Sequence, residues 1–144
     1  MRKIICMGIL ILMTVFCSVP ALATEGAENT RQQNVITPQF TYISLLNAGL
    51  SINSSGKVTS IGHASAYDRS HTTRLTVKLE KSTGNGWSTI KSWSASSTGQ
   101  SVAGIEEAYY VVHDTYRVCA TAKVYNAAGN LLESKSAYSD TATY

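Results

Sequence analysis

The chain has 144 residues, 12 Lys and Arg against 9 Asp and Glu, and a net charge of +3, with 15% of its residues charged. That length fits a single domain with a sizeable core. Arg2 and Lys3, at the extreme N-terminus, carry two of the three net positive charges. The rest of the chain is near neutral with its signs interspersed, which excludes the basic stripe that follows a phosphate backbone and argues against nucleic acid as a partner.

Residues 1–23 read as a signal peptide. Arg2 and Lys3 start it, Ile4 to Phe16 is almost unbroken apolar sequence, and Pro20 stops the helix. Ala21-Leu22-Ala23 then presents small residues for cleavage before Thr24. The apolar run is short for a membrane span. Cys17 follows Val15 and Phe16 rather than a small residue, which argues against a lipid anchor. The expectation is a secreted, extracellular chain with no membrane attachment after cleavage. Cys6 and Cys17 leave with the signal peptide, so Cys119 is the one remaining thiol and no internal disulfide can form.

Residues 24–37 form a polar stretch with neither helical nor strand periodicity, read as a flexible leader. Pro38 ends it, and residues 38–144 are predicted to form one β-sandwich domain. Phe40–Leu46, Leu50–Ile52 and Lys57–Tyr67 are the first strand candidates, with Asn53-Ser54-Ser55-Gly56 as a turn. Arg74 to Glu80 alternates strictly: Leu75, Val77 and Leu79 against Arg74, Thr76, Lys78 and Glu80. A half-buried strand places each set on its own face. Ser82-Thr83-Gly84-Asn85-Gly86 turns this strand into Trp87–Trp93, and Ser94 to Gly104 reads as a longer loop before a strand over Ile105–Val112.

From Tyr116 to Tyr125 the alternation resumes. Tyr116, Val118, Ala120, Ala122 and Val124 are expected inside; Arg117, Cys119, Thr121, Lys123 and Tyr125 outside. Asn126 to Asn130 turns the chain into a last strand over Leu131–Tyr138. Seven to eight short strands with regular turns predict an all-β, antiparallel sandwich. His113-Asp114-Thr115-Tyr116-Arg117-Val118 is similar to the approach to strand F of immunoglobulin-like domains, where a tyrosine bonds back to the preceding backbone. The expected fold is therefore an immunoglobulin-like β-sandwich without a disulfide.

Several segments carry a wider resemblance: Tyr42-Ile43-Ser44, Ala48 to Ile52, Thr73 to Lys81, Gly86 to Trp93 and Thr115 to Val118. Together they resemble a family of small secreted proteins from Gram-positive, clostridia-type bacteria, catalogued as a domain of unknown function. The resemblance implies a bacterial, extracellular protein, and it implies no activity and no site residues. Cys119 departs from the family pattern, in which a polar or aliphatic residue is usual.

Candidate chemistry is sparse. His63 and His71, with Asp68 between them, and His113 beside Asp114 lack the spacing of a zinc site and read as turn histidines. Glu106 and Glu107 are neighbours on a strand and so point to opposite faces. No nucleophile elbow is present. The expectation is a protein that is not an enzyme and needs no cofactor or metal.

Trp87 and Trp93 are six apart, so on a regular strand both share a face with Thr89 and Lys91, while Ile90 takes the other. Exposed indoles on such a face offer a platform for a sugar ring or a partner protein. The competing arrangement buries them. Cys119 is expected to point outward as a reactive thiol or as the link of a disulfide-bonded dimer, unless something covers that face. The function these features suggest is a non-catalytic extracellular binding or interaction module, whose partner is an extracellular protein or a glycan. The alternatives are a small carbohydrate-binding protein using the Trp87/Trp93 platform and a bacteriocin-like secreted effector.

Overall fold

The computed structural model describes residues 40–144; the signal peptide and leader expected over 1–37 lie outside the described residues. Eight strands follow in chain order: β1 (Ile43–Ile52), β2 (Lys57–Ala66), β3 (Thr72–Ser82), β4 (Trp87–Thr98), β5 (Ala103–Tyr110), β6 (Thr115–Tyr125), β7 (Leu131–Tyr138) and β8 (Ala142–Thr143). They form two antiparallel sheets. One has the order β1-β2-β5; the other has the order β4-β3-β6-β7, with β8 paired to β6. This is an immunoglobulin-like sandwich, as the regular strand spacing predicts.

The core lies between the sheets and follows from the alternation. Leu75, Val77 and Leu79 of β3 are completely buried, as are Val118, Ala120, Ala122 and Val124 of β6. Ile43, Leu46, Val58, Ala64 and Ile105 close it from the three-stranded sheet. Small residues let the layers approach: a Cβ at Gly62 would collide with the Val77 side chain across the interior.

Tyr116 makes the expected bond. Its buried ring lies at the start of β6, and its hydroxyl donates to the Val112 carbonyl at 2.7 Å, locking the corner where the chain crosses between sheets. Burial, above all, raises the pKa of this hydroxyl. At the same end of the sandwich, the Val111 amide donates to the Gly56 carbonyl at 2.9 Å. Gly56 has φ +76°, and a Cβ there would sit 2.8 Å from the Val111 carbonyl oxygen, so the first turn requires glycine.

The edge at β1 is secured by a single carboxylate. Glu133 of β7 accepts hydrogen bonds from the amides of Tyr42 (2.8 Å), Ile43 (3.0 Å) and Thr41 (3.3 Å). Burial pushes the Glu133 pKa up, but these donors outweigh it and the net shift is downward.

Three boundaries differ from expectation: first, Phe40–Leu46 and Leu50–Ile52 are not two strands, since Ile43 to Ile52 runs as the single strand β1 against β2. Ser94 to Thr98 continues β4 rather than forming a loop, because each residue pairs with β3 between Thr72 and Thr76. The following strand is Ala103–Tyr110, earlier than the apolar Val111 and Val112 suggest. The local run of Ser and Thr is compatible with either state, and pairing to a long neighbour decides it.

Candidate functional site

The outward residues of the five-stranded sheet line up in rows across the strands. One row reads Ser96, Arg74, Lys123, Ser134; the next Ser94, Thr76, Thr121, Ser136; the third Ser92, Lys78, Cys119, Tyr138. Residues directly opposite have Cβ atoms roughly 4.5–5.5 Å apart, so each row is a set of interacting neighbours. The hydroxyl row is bonded on both flanks: Thr76 Oγ1 to Ser94 Oγ at 3.3 Å and Thr121 Oγ1 to Ser136 Oγ at 2.8 Å.

Toward the β3–β4 turn, Arg117 organises the face. Its Nε donates to Glu80 Oε2 at 2.8 Å. Its guanidinium carbon lies 4.3 Å from the Trp87 ring centroid and 4.5 Å from that of Tyr138. A cation between two rings, with a carboxylate on its edge, uses the geometry that suits arginine rather than lysine. The Arg117 and Glu80 side chains are only 24% and 13% exposed, so this cluster is a rigid, partly desolvated centre.

At the other end of the rows the cations lack such partners. Arg74 lies opposite Lys123, and both are exposed. Arg74 rests over the Tyr125 ring at 4.9 Å, but among the described residues no carboxylate pairs with Arg74, Lys78 or Lys123. Two shallow, open depressions, of about 220 and 290 Å³, both border Arg74. Both fall below the roughly 300–1,000 Å³ of enclosed small-molecule sites, so this is a surface rather than a pocket.

The Trp87/Trp93 platform does not form. The register between β3 and β4 shifts after Leu79: Leu79 lies opposite Lys91, whereas Glu80 lies opposite Thr89, leaving Ile90 as an extra residue. Such a bulge reverses the parity of the strand. Trp87 and Thr89 therefore stand on the outer face. Trp93, opposite the buried Val77, and Lys91, opposite Leu79, stand on the inner side. Trp93 and Ile90 pack against the core, and Lys91 reaches over the Tyr109 ring of β5 at 4.8 Å. The six-residue spacing predicts one shared face only for a regular strand.

Cys119 points to the outer face, as alternation predicts, but it is not exposed: 7% of it is accessible. Tyr138 lies directly opposite on β7, and Cys119 Sγ is 3.9 Å from Thr121 Oγ1. The nearby Cys119 thiol, above all, and then burial raise the pKa of the Tyr138 hydroxyl. The expectation of an open, reactive thiol is corrected accordingly. Its neighbours on this face are Tyr138 across the β6–β7 register, Lys78 across the β3–β6 register and Thr121.

The histidines are scattered. His63 Nδ1 is 3.2 Å from Asn47 Oδ1 on the outer side of the three-stranded sheet, His71 meets the edge of the Tyr42 ring, and His113 stacks on Tyr144 at 4.3 Å. Among the described residues no group of three His, Cys, Asp or Glu could hold a metal ion. Glu106 and Glu107 lie opposite Ile61 and Ser60 on β2, which places them on different faces.

Sequence reasoning missed Arg74, Lys78, Lys123, Arg117 and Tyr138 as a group. The signal was present in part: cations at the polar positions of the two clearest strands. The pairing that makes them neighbours is not local. Compared with known proteins, the chain matches no family model and no curated protein.

Proposed function

We propose that this chain is a non-catalytic binding module, exported from a bacterial cell, whose ligand lies across the outer face of the five-stranded sheet. The observation that supports this reading is the composition of that face. It combines a rigid Trp87–Arg117–Tyr138 stack, a continuous row of hydroxyls and cations without acidic partners. The outer face of the other sheet, by contrast, carries Ser51, Thr59 and Ala108 in one row, Gly49, Ile61 and Glu106 in the next and Asn47, His63 and Gly104 in a third, with no Lys or Arg among them. Its first strand has a basic start, an apolar run and a small-residue cleavage site upstream, which supports export.

A steric block on each face tests the reading. Thr121→Tyr places a ring in the middle of the hydroxyl row; Thr59→Tyr adds the same bulk on the opposite side of the sandwich. On an array of envelope polysaccharides and extracellular glycans, Thr121→Tyr is expected to weaken retention about tenfold, or 1.4 kcal/mol. Thr59→Tyr is expected to leave it unchanged. Equal loss in both variants, or no retained ligand at all, overturns the assignment.

A further inference from the structure

Directly opposed like charges on neighbouring strands are destabilising. Arg74 and Lys123 are such a pair, in register between β3 and β6, with Ser96 and Ser134 completing the row. Lys78 follows on the same face of β3, four residues and so about 13 Å along the strand from Arg74. The three rows contain no carboxylate, and Glu80, next along this face of β3, is already held by Arg117. The free protein thus carries an unneutralised cationic strip flanked by serine and threonine hydroxyls. A neutral ligand would leave that repulsion in place; an anionic one removes it.

Resting on the binding-face reading above, we infer that the ligand is a polysaccharide bearing repeated anionic groups, held by Arg74, Lys123 and Lys78. The flanking hydroxyls of Thr76, Thr121, Ser94 and Ser136 match the hydroxyls of a sugar chain. The open, shallow relief suits an extended polymer more than a single small anion. The spacing of the cations lets one chain engage several, so binding gains from multivalency. A duplex nucleic acid is a poorer fit, because three isolated cations on a near-neutral domain do not match its charge density.

The test uses the protein and four immobilised probes: polygalacturonate for carboxylate, dextran sulfate for sulfate, phosphorylated dextran for phosphate, and neutral dextran. At least one anionic polymer is expected to bind, and its affinity to fall about tenfold as salt rises from roughly 50 to 200 mM. Lys123→Glu converts the repulsive pair into an attractive one. It is expected to lower that affinity at least about tenfold while leaving the melting temperature unchanged or higher. That combination separates loss of the ligand from loss of the fold. Polyanion binding that survives Lys123→Glu, or duplex DNA bound as tightly as the best polysaccharide, overturns the inference. Retention of neutral glycans alone, still sensitive to Thr121→Tyr, also overturns it, but leaves the face assignment standing.

Discussion

The two faces of β3 and β6 are made from alternate residues of the same two strands, yet they differ in almost every physical respect. The inner face is aliphatic and completely buried at Leu75, Val77, Leu79, Val118, Ala120, Ala122 and Val124, with the buried Thr73 at one end and Tyr116, whose hydroxyl is bonded, at the other. The outer face mixes an ion pair, two aromatic rings, a row of hydroxyls and unpaired cations. Alternation lets the two be written independently: the inner set carries stability and the outer set is free to carry recognition. Substitutions should therefore separate cleanly, moving either the melting temperature or ligand retention.

The largest effect belongs to the inner face. Leu79 is completely buried. Leu79→Ala is expected to cost about 2–5 kcal/mol in denaturant unfolding, the range for a large-to-small core change. A cost near that of a surface substitution, below about 0.5 kcal/mol, would break the comparison at its strongest point.

A smaller effect is expected where the inner face reaches the sheet edge. Glu133→Ala removes the acceptor for three amides of the segment leading into β1 and should cost about 1–2 kcal/mol. The same carboxylate gives a pH dependence. Its pKa in the folded protein lies below the ordinary 4.5. Its contribution is therefore complete above the unfolded value and is lost as pH falls through the folded one. The protection factors of the Tyr42 and Ile43 amides, taken relative to intrinsic exchange at each pH, should fall on acidification through that range, and should be low and insensitive to this titration in Glu133→Ala. Unchanged protection would show that the edge is held by other contacts.

The smallest effect on stability belongs to the outer face. Tyr138→Ala removes one ring from the Arg117 stack and is expected to cost about 0.5–1 kcal/mol. Its local consequence is larger. Cys119 in the native protein should resist a thiol reagent, and the substitution should expose it and raise the labelling rate at least about tenfold, in line with a lowered opening energy. Rapid labelling of the unsubstituted protein would mean that Tyr138 does not cover the thiol.

What could be read from the sequence follows the same division. The core of β3 and β6 is legible because period two is a local property, and Tyr116 because its bond spans only four residues. The direction of Cys119 is legible for the same reason. Its burial is not, because Tyr138 reaches it through the β6–β7 register, nineteen positions away in the chain. The Trp87/Trp93 platform fails at one place, Ile90, where pairing with β3 admits an extra residue that no pattern within Trp87–Trp93 marks. The cationic strip is half legible: the charges stand at polar positions, and their adjacency is a property of the assembled sheet.

The extra residue at Ile90 gives β4 two counting origins. Residues before it are numbered, in effect, from the β3–β4 turn, and residues after it from the body of the sheet. One strand can thus supply an indole to the surface at Trp87 and another to the interior at Trp93 without any change of strand direction. The count of residues between Trp87 and Trp93, rather than their composition, thus sets the faces of the two indoles. Deleting Ile90 would leave every other side chain intact. It would close the bulge, with Thr89 and Lys91 as neighbours and the two indoles five apart on a regular strand, so that both keep their faces and their partners on β3.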